Sequence, residues 1–229
     1  MDVMRAIESR HSVRQFTDEP ITGDALVRLQ AAVDAANAEA GLHIQLVLDE
    51  PAAFTGLLAH YGKFRGVRNY IALVGHDTPD LDELCGYYGE RIVLEAQDAG
   101  LVTCWVGGTF SKRKARYELA DGERLCLVIA IGHGENPGRP HTSKAVSRLA
   151  KTGGGETPDW FERGMRAALL APTAMNQQHF SVALGEDGVV RVRSTGGPFA
   201  NVDLGIVEYH FEAASGHAVA SPALTRIRS

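Results

Sequence analysis

The segment RHSVR, residues 10–14, concentrates side chains that could bind an anion. It supplies two guanidinium groups, a hydroxyl and an imidazole at the end of a predicted helix over residues 2–9. Arginine matches the oxygens of a phosphate with paired hydrogen bonds, so this composition is typical of a phosphate site. The same cations would also be favoured at a helix end that faces only solvent. On composition alone, both interpretations stay open.

A second candidate is APTAMNQQHF, residues 171–180. Pro172 would end the preceding helix, and Asn176, Gln177 and Gln178 offer amide donors and acceptors. Such a loop could hydrogen-bond the polar edge of a flat heterocycle while the backbone of 172–174 covers its face. The alternative is an ordinary helix end followed by turn residues.

Two glycine-containing segments follow predicted strands. Gly107 and Gly108 close the strand LVTCWVGG and would let backbone amides approach a ligand closely. In GRPHTSK, residues 138–144, His141 and Lys144 could neutralise an anion. A solvated loop is the alternative for this second segment.

Other chemistries find little support in the sequence. The nine histidines are scattered without an HExxH motif and the three cysteines lack CxxC spacing, so we expect no metal site and buried free thiols. A G-x-S-x-G elbow and a convincing pair of catalytic carboxylates are also missing. The net charge of −5 argues against nucleic-acid or membrane partners. With neither an apolar leader nor an apolar run of membrane-spanning length, the sequence predicts a cytoplasmic protein.

Hydrophobic periodicity predicts alternating helices and strands along 229 residues. The predicted helices cover residues 2–9, 23–40, 51–61, 80–99, 111–119, 144–150, 159–170 and 203–215. The predicted strands cover residues 43–48, 69–76, 101–108 and 124–132 and a pair within 180–194. KTGGGETP, residues 151–158, has the composition of a linker.

An internal repeat is visible in the chain. Residues 31–48 align without a gap against residues 167–184, with four alanines and one histidine (His43 and His179) in common. The helix segment 205–216 also resembles 90–100. These matches predict a first half over 1–151 and a shortened second half over 159–229, joined by a linker over 152–158 and packed as one compact unit with pseudo-two-fold symmetry.

The motifs together resemble those of the FMN-dependent nitroreductases. RHSVRQF resembles the family's R-(R/H)-S-(V/I)-R-x-F opening, APTAMNQQHF its A-P-S-A-x-N-x-Q-P-W-x-F signature with His179 in the region of Pro-Trp, and GLVTCWVGG its G-L-G-T-x-W strand. The resemblance implies an α+β fold, with mixed β-sheets flanked by helices. In typical members the second motif follows the first within one helix, whereas here it lies in the second copy.

The resemblance also implies a role for each matched residue. Family members are typically homodimers with FMN at the subunit interface, so this chain resembles two fused subunits with one composite site and one degenerate site. Arg10, His11 and Ser12 would contact the FMN phosphate and ribityl chain, Lys144 would complete the phosphate site, and Arg14 would act at the pyrimidine edge, where we place the catalytic contribution. Gly107 and Gly108 would present amides towards N5. The isoalloxazine would be lined by Pro172, Thr173, Ala174 and Asn176.

The resemblance therefore implies an oxidoreductase in which NAD(P)H reduces FMN and a nitroaromatic or quinone-like acceptor reoxidises it. A monomer with an internal pseudo-dimer, or a weak homodimer, would suffice. Two alternatives stay open: a flavin-binding sensor or carrier without turnover, and a binding module without flavin in which the motifs are coincidental.

Overall fold

A computed structural model describes residues 2–152 and 156–228 of the chain. These residues form two compact units that alternate along the sequence. Unit 1 contains residues 9–81 and 92–140, and unit 2 contains residues 2–8, 82–91 and those from 141 onward. The predicted halves, 1–151 and 159–229, rest on repeated sequence rather than on contacts and stay a prediction. Residues 153–155 of the predicted linker lie outside the described residues.

Unit 1 is built on a four-stranded antiparallel sheet with strand order β1-β2-β4-β3. The strands are β1 (Gln45–Val47), β2 (Asn69–His76), β3 (Val102–Val106) and β4 (Glu123–Gly132). Seven of the eight residues of β2 are buried, which fits a central strand covered on both faces. The strand order places β3 at an edge of the sheet. The RHSVR segment pairs with this edge.

Helix α2 (Gly23–Ala40) precedes this sheet and buries one face. Its buried positions, Leu29, Val33, Ala36 and Ala40, follow one another at intervals of three or four residues. A 3₁₀ turn (Pro51–Phe54) and the short helix α3 (Leu57–Tyr61) occupy the segment predicted as one helix over 51–61. The helix predicted over 23–40 is confirmed, whereas the segment predicted as one helix over 51–61 is divided, with Gly56 between the two pieces.

The prediction of a helix over residues 111–119 is wrong. Only a turn forms at Lys112–Lys114, and residues 115–120 have no regular secondary structure. The hydroxyl of Tyr70 bonds both the N–H and the C=O of Arg116, and the amide of Gln45 does the same for Glu118. Side chains of the sheet therefore satisfy backbone groups that a helix would have paired internally, and the helix would also have stacked like charges.

Unit 2 combines a three-stranded sheet with several helices. Its sheet has the order β5-β6-β7, in which β5 is parallel and β7 antiparallel to the central strand. The strands are β5 (Ala150–Thr152), β6 (Phe180–Leu184) and β7 (Val190–Ser194). Helix α1 (Val3–Ser9) and helix α4 (Leu81–Asp98) contribute residues 3–8 and 82–91 to this unit. The remaining helices are α5 (Val146–Leu149), α6 (Asp159–Ala168), α7 (Ala200–Ser215) and α8 (Pro222–Arg228). The sequence did not predict β5 or α8.

Helices α4 and α7 approach each other through a reciprocal pair of glycines. A Cβ atom on Gly86 would collide with the backbone carbonyl of Val202, and one on Gly205 would collide with that of Glu83. Neither site can therefore hold a side chain without separating the helices. The close approach brings Glu83 and Tyr87 of α4 next to the buried face of α7.

This crossing encloses carboxyl groups that belong to both helices. Glu208 is 1% exposed, and its Oε2 atom has no hydrogen-bond partner among the described residues. Burial, followed by the nearby Glu83 and Glu212 carboxylates, raises the pKa of Glu208 to about 9. The positive charge of Arg228 in α8, which pairs with Glu212 at 2.6 Å, opposes this shift. The Glu208 carboxyl is therefore protonated near neutral pH.

The raised pKa of Glu208 predicts a fall in stability with increasing pH. The unfolded chain releases this proton above an ordinary pKa of 4.5, whereas the folded protein keeps it to about 9. The contribution to stability is thus complete below pH 4.5 and is lost as the pH rises through 9, at up to about 1.4 kcal/mol per pH unit. Glu208→Gln should flatten the pH dependence of the melting temperature between pH 5 and 9, measured by calorimetry.

The exposed carboxylate of Glu186 provides the matched control. Glu186→Gln should leave the slope of melting temperature against pH as it is in the wild type. Parallel curves for the wild type and Glu208→Gln would contradict the protonated state assigned to Glu208.

Candidate functional site

The RHSVR segment runs beside the edge strand of unit 1. The N–H of Val13 donates to the carbonyl of Thr103 in β3 at 3.0 Å, and Ser12 forms a parallel bridge with Thr103. The segment is therefore extended, and its side chains alternate between two faces. Arg10, Ser12 and Arg14 are every second residue of the segment and therefore share one face.

The loop after β4 lines the other face of this segment. The N–H of Thr17 donates to the carbonyl of His133 at 2.9 Å, and Nδ1 of His11 lies 3.1 Å from the carbonyl of Pro137. Because a carbonyl only accepts, Nδ1 of His11 carries the proton. Gly138 has a φ of 78°, and a Cβ there would lie 2.7 Å from the Cβ of His11. Only glycine allows this approach.

The side chains of Arg10, Ser12 and Arg14 converge near the thiol of Cys104. Burial raises the pKa of this thiol, and the positive charges of Arg14 and Arg10 and a hydrogen bond with Ser12 oppose the rise. Arg10 is only 3% exposed, whereas Arg14 is exposed, with its guanidinium 5.9 Å from the centroid of the Phe64 ring. The arrangement therefore concentrates positive charge beside β3, part of it out of water, where it can attract an anion.

Two further groups on β3 or just after it are suited to a ligand. Thr103, the bridge partner of Ser12, has a buried hydroxyl oxygen that finds no hydrogen-bond partner among the described residues. Gly107 and Gly108 form a bend directly after the strand and are half-buried and exposed respectively. The space around Gly108 is open, since a Cβ there would meet no atom within 4 Å.

The APTAMNQQHF loop lies in unit 2 and has a strained backbone. Helix α6 ends at Ala168, and a 3₁₀ turn (Ala174–Asn176) follows before β6 begins at Phe180. Met175, Asn176 and Gln178 have φ values of 52°, 54° and 46°. Residues other than glycine rarely adopt this region, and such conformations persist only where the surroundings hold them.

Gln178 holds the loop from within. It is 3% exposed; its Nε2 donates to the carbonyl of Thr142 and to Oδ1 of Asn176, both at 2.9 Å. Its Oε1 accepts from the N–H of Lys144 at 2.7 Å, and its own N–H donates to the hydroxyl of Thr173 at 3.0 Å. The amide of Gln178 thus ties the loop to residues 142–144.

The ammonium group of Lys144 adds a second tie. Its Nζ donates to the carbonyls of Gln177 at 2.6 Å and Gln178 at 3.0 Å. Two of its three N–H groups are therefore used inside the loop, and one is left for another acceptor.

The carboxylate of Asp203, in the first turn of α7, provides the third tie. It accepts the N–H of Ala174 at 2.9 and 3.1 Å and Nε2 of Gln177 at 2.7 Å. Burial raises the pKa of Asp203 to about 6, against the opposing effects of Gln177, Ala174 and His179. The side chain of Gln178 within the loop, and those of Lys144 and Asp203 outside it, therefore fix the loop backbone.

The predicted site residues fall into two groups. In unit 1 the structure brings together Arg10, Ser12 and Arg14, while His11 faces the loop after β4. In unit 2, Asn176 and Lys144 belong to the loop's own hydrogen-bond network; Thr173 and Ala174 are half-buried and Pro172 is buried. Their contacts with a flavin stay predictions.

The sequence reasoning missed Asp203 and gave Gln178 no structural role. An aspartate in the first turn of a helix is common because the helix dipole favours it, so nothing marked Asp203 as a loop anchor. Gln178 was visible only as one amide in a polar cluster. The partners of Asp203, and those of Gln178 at Thr142 and Lys144, lie 26–36 residues away in sequence.

Metal-ligating clusters and membrane-spanning helices are both missing from the described part of the chain. Within residues 2–152 and 156–228, His, Cys, Asp and Glu side chains nowhere form a group of three or more that could hold a metal ion. In the same ranges, no helix has the length and hydrophobicity needed to cross a membrane.

Comparisons with known proteins give one consistent result. The model of a family described as "Putative TM nitroreductase" matches residues 2–215. A "putative nitroreductase" from Thermotoga maritima superposes with a TM-score of 0.64 at 21% identity, covering 93% of this chain and 83% of its own. No match was found among curated proteins.

Two further solved structures share part of the fold. A "putative nitroreductase" from Desulfovibrio desulfuricans, in complex with FMN, has a TM-score of 0.53 at 19% identity over 69% of this chain and 99% of its own. A "putative NADH dehydrogenase/NAD(P)H nitroreductase" from Parabacteroides distasonis has a TM-score of 0.50 at 20% identity over 65% and 96%. At these identities the structures establish the shared α+β fold, as predicted.

The contacts of Lys144 predict that it keeps the loop closed. Lys144→Met removes the two charge-assisted hydrogen bonds that the ammonium group donates to the carbonyls of Gln177 and Gln178. Such bonds each contribute about 1.5–3 kcal/mol, so the amide exchange of residues 172–178 should become at least about tenfold faster without added ligand. Hydrogen exchange with mass spectrometry measures this. Arg148→Met, an exposed cation on α5, is the control and should leave the exchange unchanged; equal rates in both variants would contradict the assignment.

Proposed function

The chain belongs to the nitroreductase family whose model spans residues 2–215, and we propose that it is an FMN-dependent oxidoreductase. Bound FMN would supply the redox chemistry, accepting a hydride from NAD(P)H at N5 and passing electrons to a nitroaromatic or quinone-like acceptor. The observation that carries the proposal is the converging set Arg10, Ser12 and Arg14 beside β3.

The geometry of unit 1 fits the phosphate end of FMN. The shared face of the extended segment carries two guanidinium groups and a hydroxyl beside β3. A phosphate dianion offers several oxygens to such donors. We assign Arg10 and Ser12 to the phosphate and ribityl chain, with His11 holding the segment against Pro137 and Gly138.

Arg14 has a different environment and therefore a different assignment. Its guanidinium is exposed and lies over the face of Phe64, so it can approach an aromatic ligand without first losing a buried partner. We assign it to the pyrimidine edge of the flavin, where its charge stabilises negative charge that develops there. The open backbone at Gly107 and Gly108 would present N–H groups towards N5.

In unit 2 the loop is assigned to the isoalloxazine ring. Most of its amide groups are bound inside the loop, which leaves a fixed surface at Thr173 and Ala174 for a flat ring. Pro172 sets the chain direction, Asn176 fixes the turn, and the remaining N–H of Lys144 is available to an anionic group. The FMN complex of the Desulfovibrio desulfuricans protein supports this choice of cofactor.

Turnover distinguishes an enzyme from a flavin carrier. The described residues that meet the ligand need only bind and orient, because the cofactor carries the electrons. Anaerobic addition of NADH or NADPH should bleach the flavin absorbance of the purified protein, and a quinone should restore it. A flavin spectrum that neither nucleotide changes would favour the carrier.

The assignment of the two arginines predicts the behaviour of FMN binding. Arg10→Ala combined with Arg14→Ala removes two charged donors, and the dissociation constant for FMN, measured by fluorescence quenching, should rise at least about 100-fold. The exposed pair Arg113→Ala with Arg163→Ala removes the same net charge and should leave the affinity within about threefold of the wild type.

Two outcomes would contradict this proposal. A wild-type protein that fails to bind added FMN would exclude the flavoenzyme. Equal losses of affinity in the two double variants would show that net charge, rather than the RHSVR segment, attracts the cofactor.

A further inference from the structure

We propose that Asp203 is a positioning residue that holds residues 172–178 in the conformation to which FMN binds. The part of this inference that concerns FMN rests on the proposed function. The part that concerns the loop rests on the contacts of Asp203 alone.

The first argument is the set of donors that meet at this carboxylate. The N–H of Ala174 reaches both oxygens, and Nε2 of Gln177 reaches one of them. Nε2 of Gln177 also donates to the carbonyl of Pro198 at 2.9 Å, so the same amide holds the segment before α7. An ionised carboxylate only accepts, and this pattern of donors suits that form alone.

The second argument is backbone strain around the same group. Met175 and Asn176 directly follow Ala174 and have positive φ values, as does Phe199. The N–H of Asp203 donates to the carbonyl of Phe199 at 2.9 Å. The main chain and the side chain of one residue therefore hold two strained segments, and Met175 is left 82% exposed. Strain held in this way is characteristic of ligand-binding segments.

The third argument is the cost of burying this charge. Asp203 is 7% exposed, and burial raises its pKa to about 6 from an ordinary 3.8. Among the described residues, His179 is the titratable group whose charge acts on Asp203, and it favours the ionised form. The ammonium group of Lys144 binds the carbonyls of Gln177 and Gln178 in the same loop. The contribution to stability is complete below pH 3.8 and is lost as the pH rises through 6. At pH 8 the ionised group therefore lowers global stability while it orders the loop.

The ionised carboxylate lowers global stability but orders the loop, and these opposite effects distinguish a positioning role from a structural one. Asp203→Asn removes the buried charge but turns an amide donor towards the donors of Ala174 and Gln177. At pH 8 we expect the dissociation constant for FMN to rise at least tenfold, with a melting temperature equal to or above that of the wild type. A residue needed only for folding would lower the melting temperature together with the affinity.

The control replaces a carboxylate at the β6–β7 turn. Asp187 is exposed and pairs with Arg191, which lowers its pKa to about 2. Asp187→Asn makes the same chemical change in the same unit and should leave FMN affinity unchanged.

A readout without cofactor tests the loop directly. Hydrogen exchange of residues 171–180 at pH 8, without FMN, should be at least tenfold faster in Asp203→Asn than in the wild type or in Asp187→Asn. If the wild type binds no FMN, the proposed function fails, and this exchange measurement still decides the role of Asp203.

A second variant covers the case in which Asp203→Asn does not fold. Gln177→Met leaves the carboxylate in place and removes one of its donors, and it should weaken FMN binding several-fold and speed exchange of the loop. Unchanged affinity and exchange in Gln177→Met would overturn the proposal. The proposal also fails if Asp203→Asn folds and matches the wild type, or loses stability and affinity in parallel.

Discussion

Because Pro172 has no backbone N–H, the segment between helix α6 and strand β6 cannot continue as a helix. In the segment 31–48, which aligns with residues 167–184, helix α2 continues to Ala40, the residue aligned with Asn176. Helix α6 ends at Ala168, four residues before Pro172, because proline cannot donate to the helix and its ring disfavours helical backbone before it. The N–H and C=O groups beyond this point lose their helical partners and need others.

Those partners are polar side chains that would otherwise have no reason to be buried. The carboxylate of Asp203 replaces helical acceptors for Ala174, and the ammonium of Lys144 replaces helical donors for the carbonyls at 177 and 178. The amide of Gln178 serves both purposes at once. The proline at residue 172, where the aligned segment 31–48 has alanine, is thus accompanied by a buried acid, a buried amide and a lysine whose ammonium group binds the loop.

The two-residue alternation of side chains along an extended strand explains the spacing of residues in the RHSVR segment. RHSVR pairs with β3, so alternate side chains separate: His11 and Val13 pack towards Gly138, while Arg10, Ser12 and Arg14 face the other way. The family-like spacing of R-x-S-x-R is therefore a property of extended backbone at the edge of a sheet. It follows that the loop after β4 and the RHSVR segment depend on each other, since a side chain at Gly138 would displace His11.

How much could be predicted from the sequence follows from the range of the interactions involved. The long helices and buried strands were predicted closely, because their apolar periodicity is local; α2 and β2 match their predicted bounds. The α+β fold came from motifs and was confirmed. The helix over 111–119 failed because Tyr70 and Gln45, distant in sequence, capture its backbone groups. Asp203 escaped notice for the same reason, since its partner Ala174 lies 29 residues away.

Helix α7 connects the loop to the rest of unit 2. Its first turn carries Asp203, and two residues later Gly205 fits against α4, whose Gly86 reciprocates. The position of the anchoring carboxylate is thus set by a helix crossing in which neither glycine can accept a side chain. A strained loop keeps its geometry best when a rigid element supports it. Placing the anchor two residues before the closest point of that crossing gives the loop such support, and the buried, ionised carboxylate of Asp203 is the accompanying cost in stability.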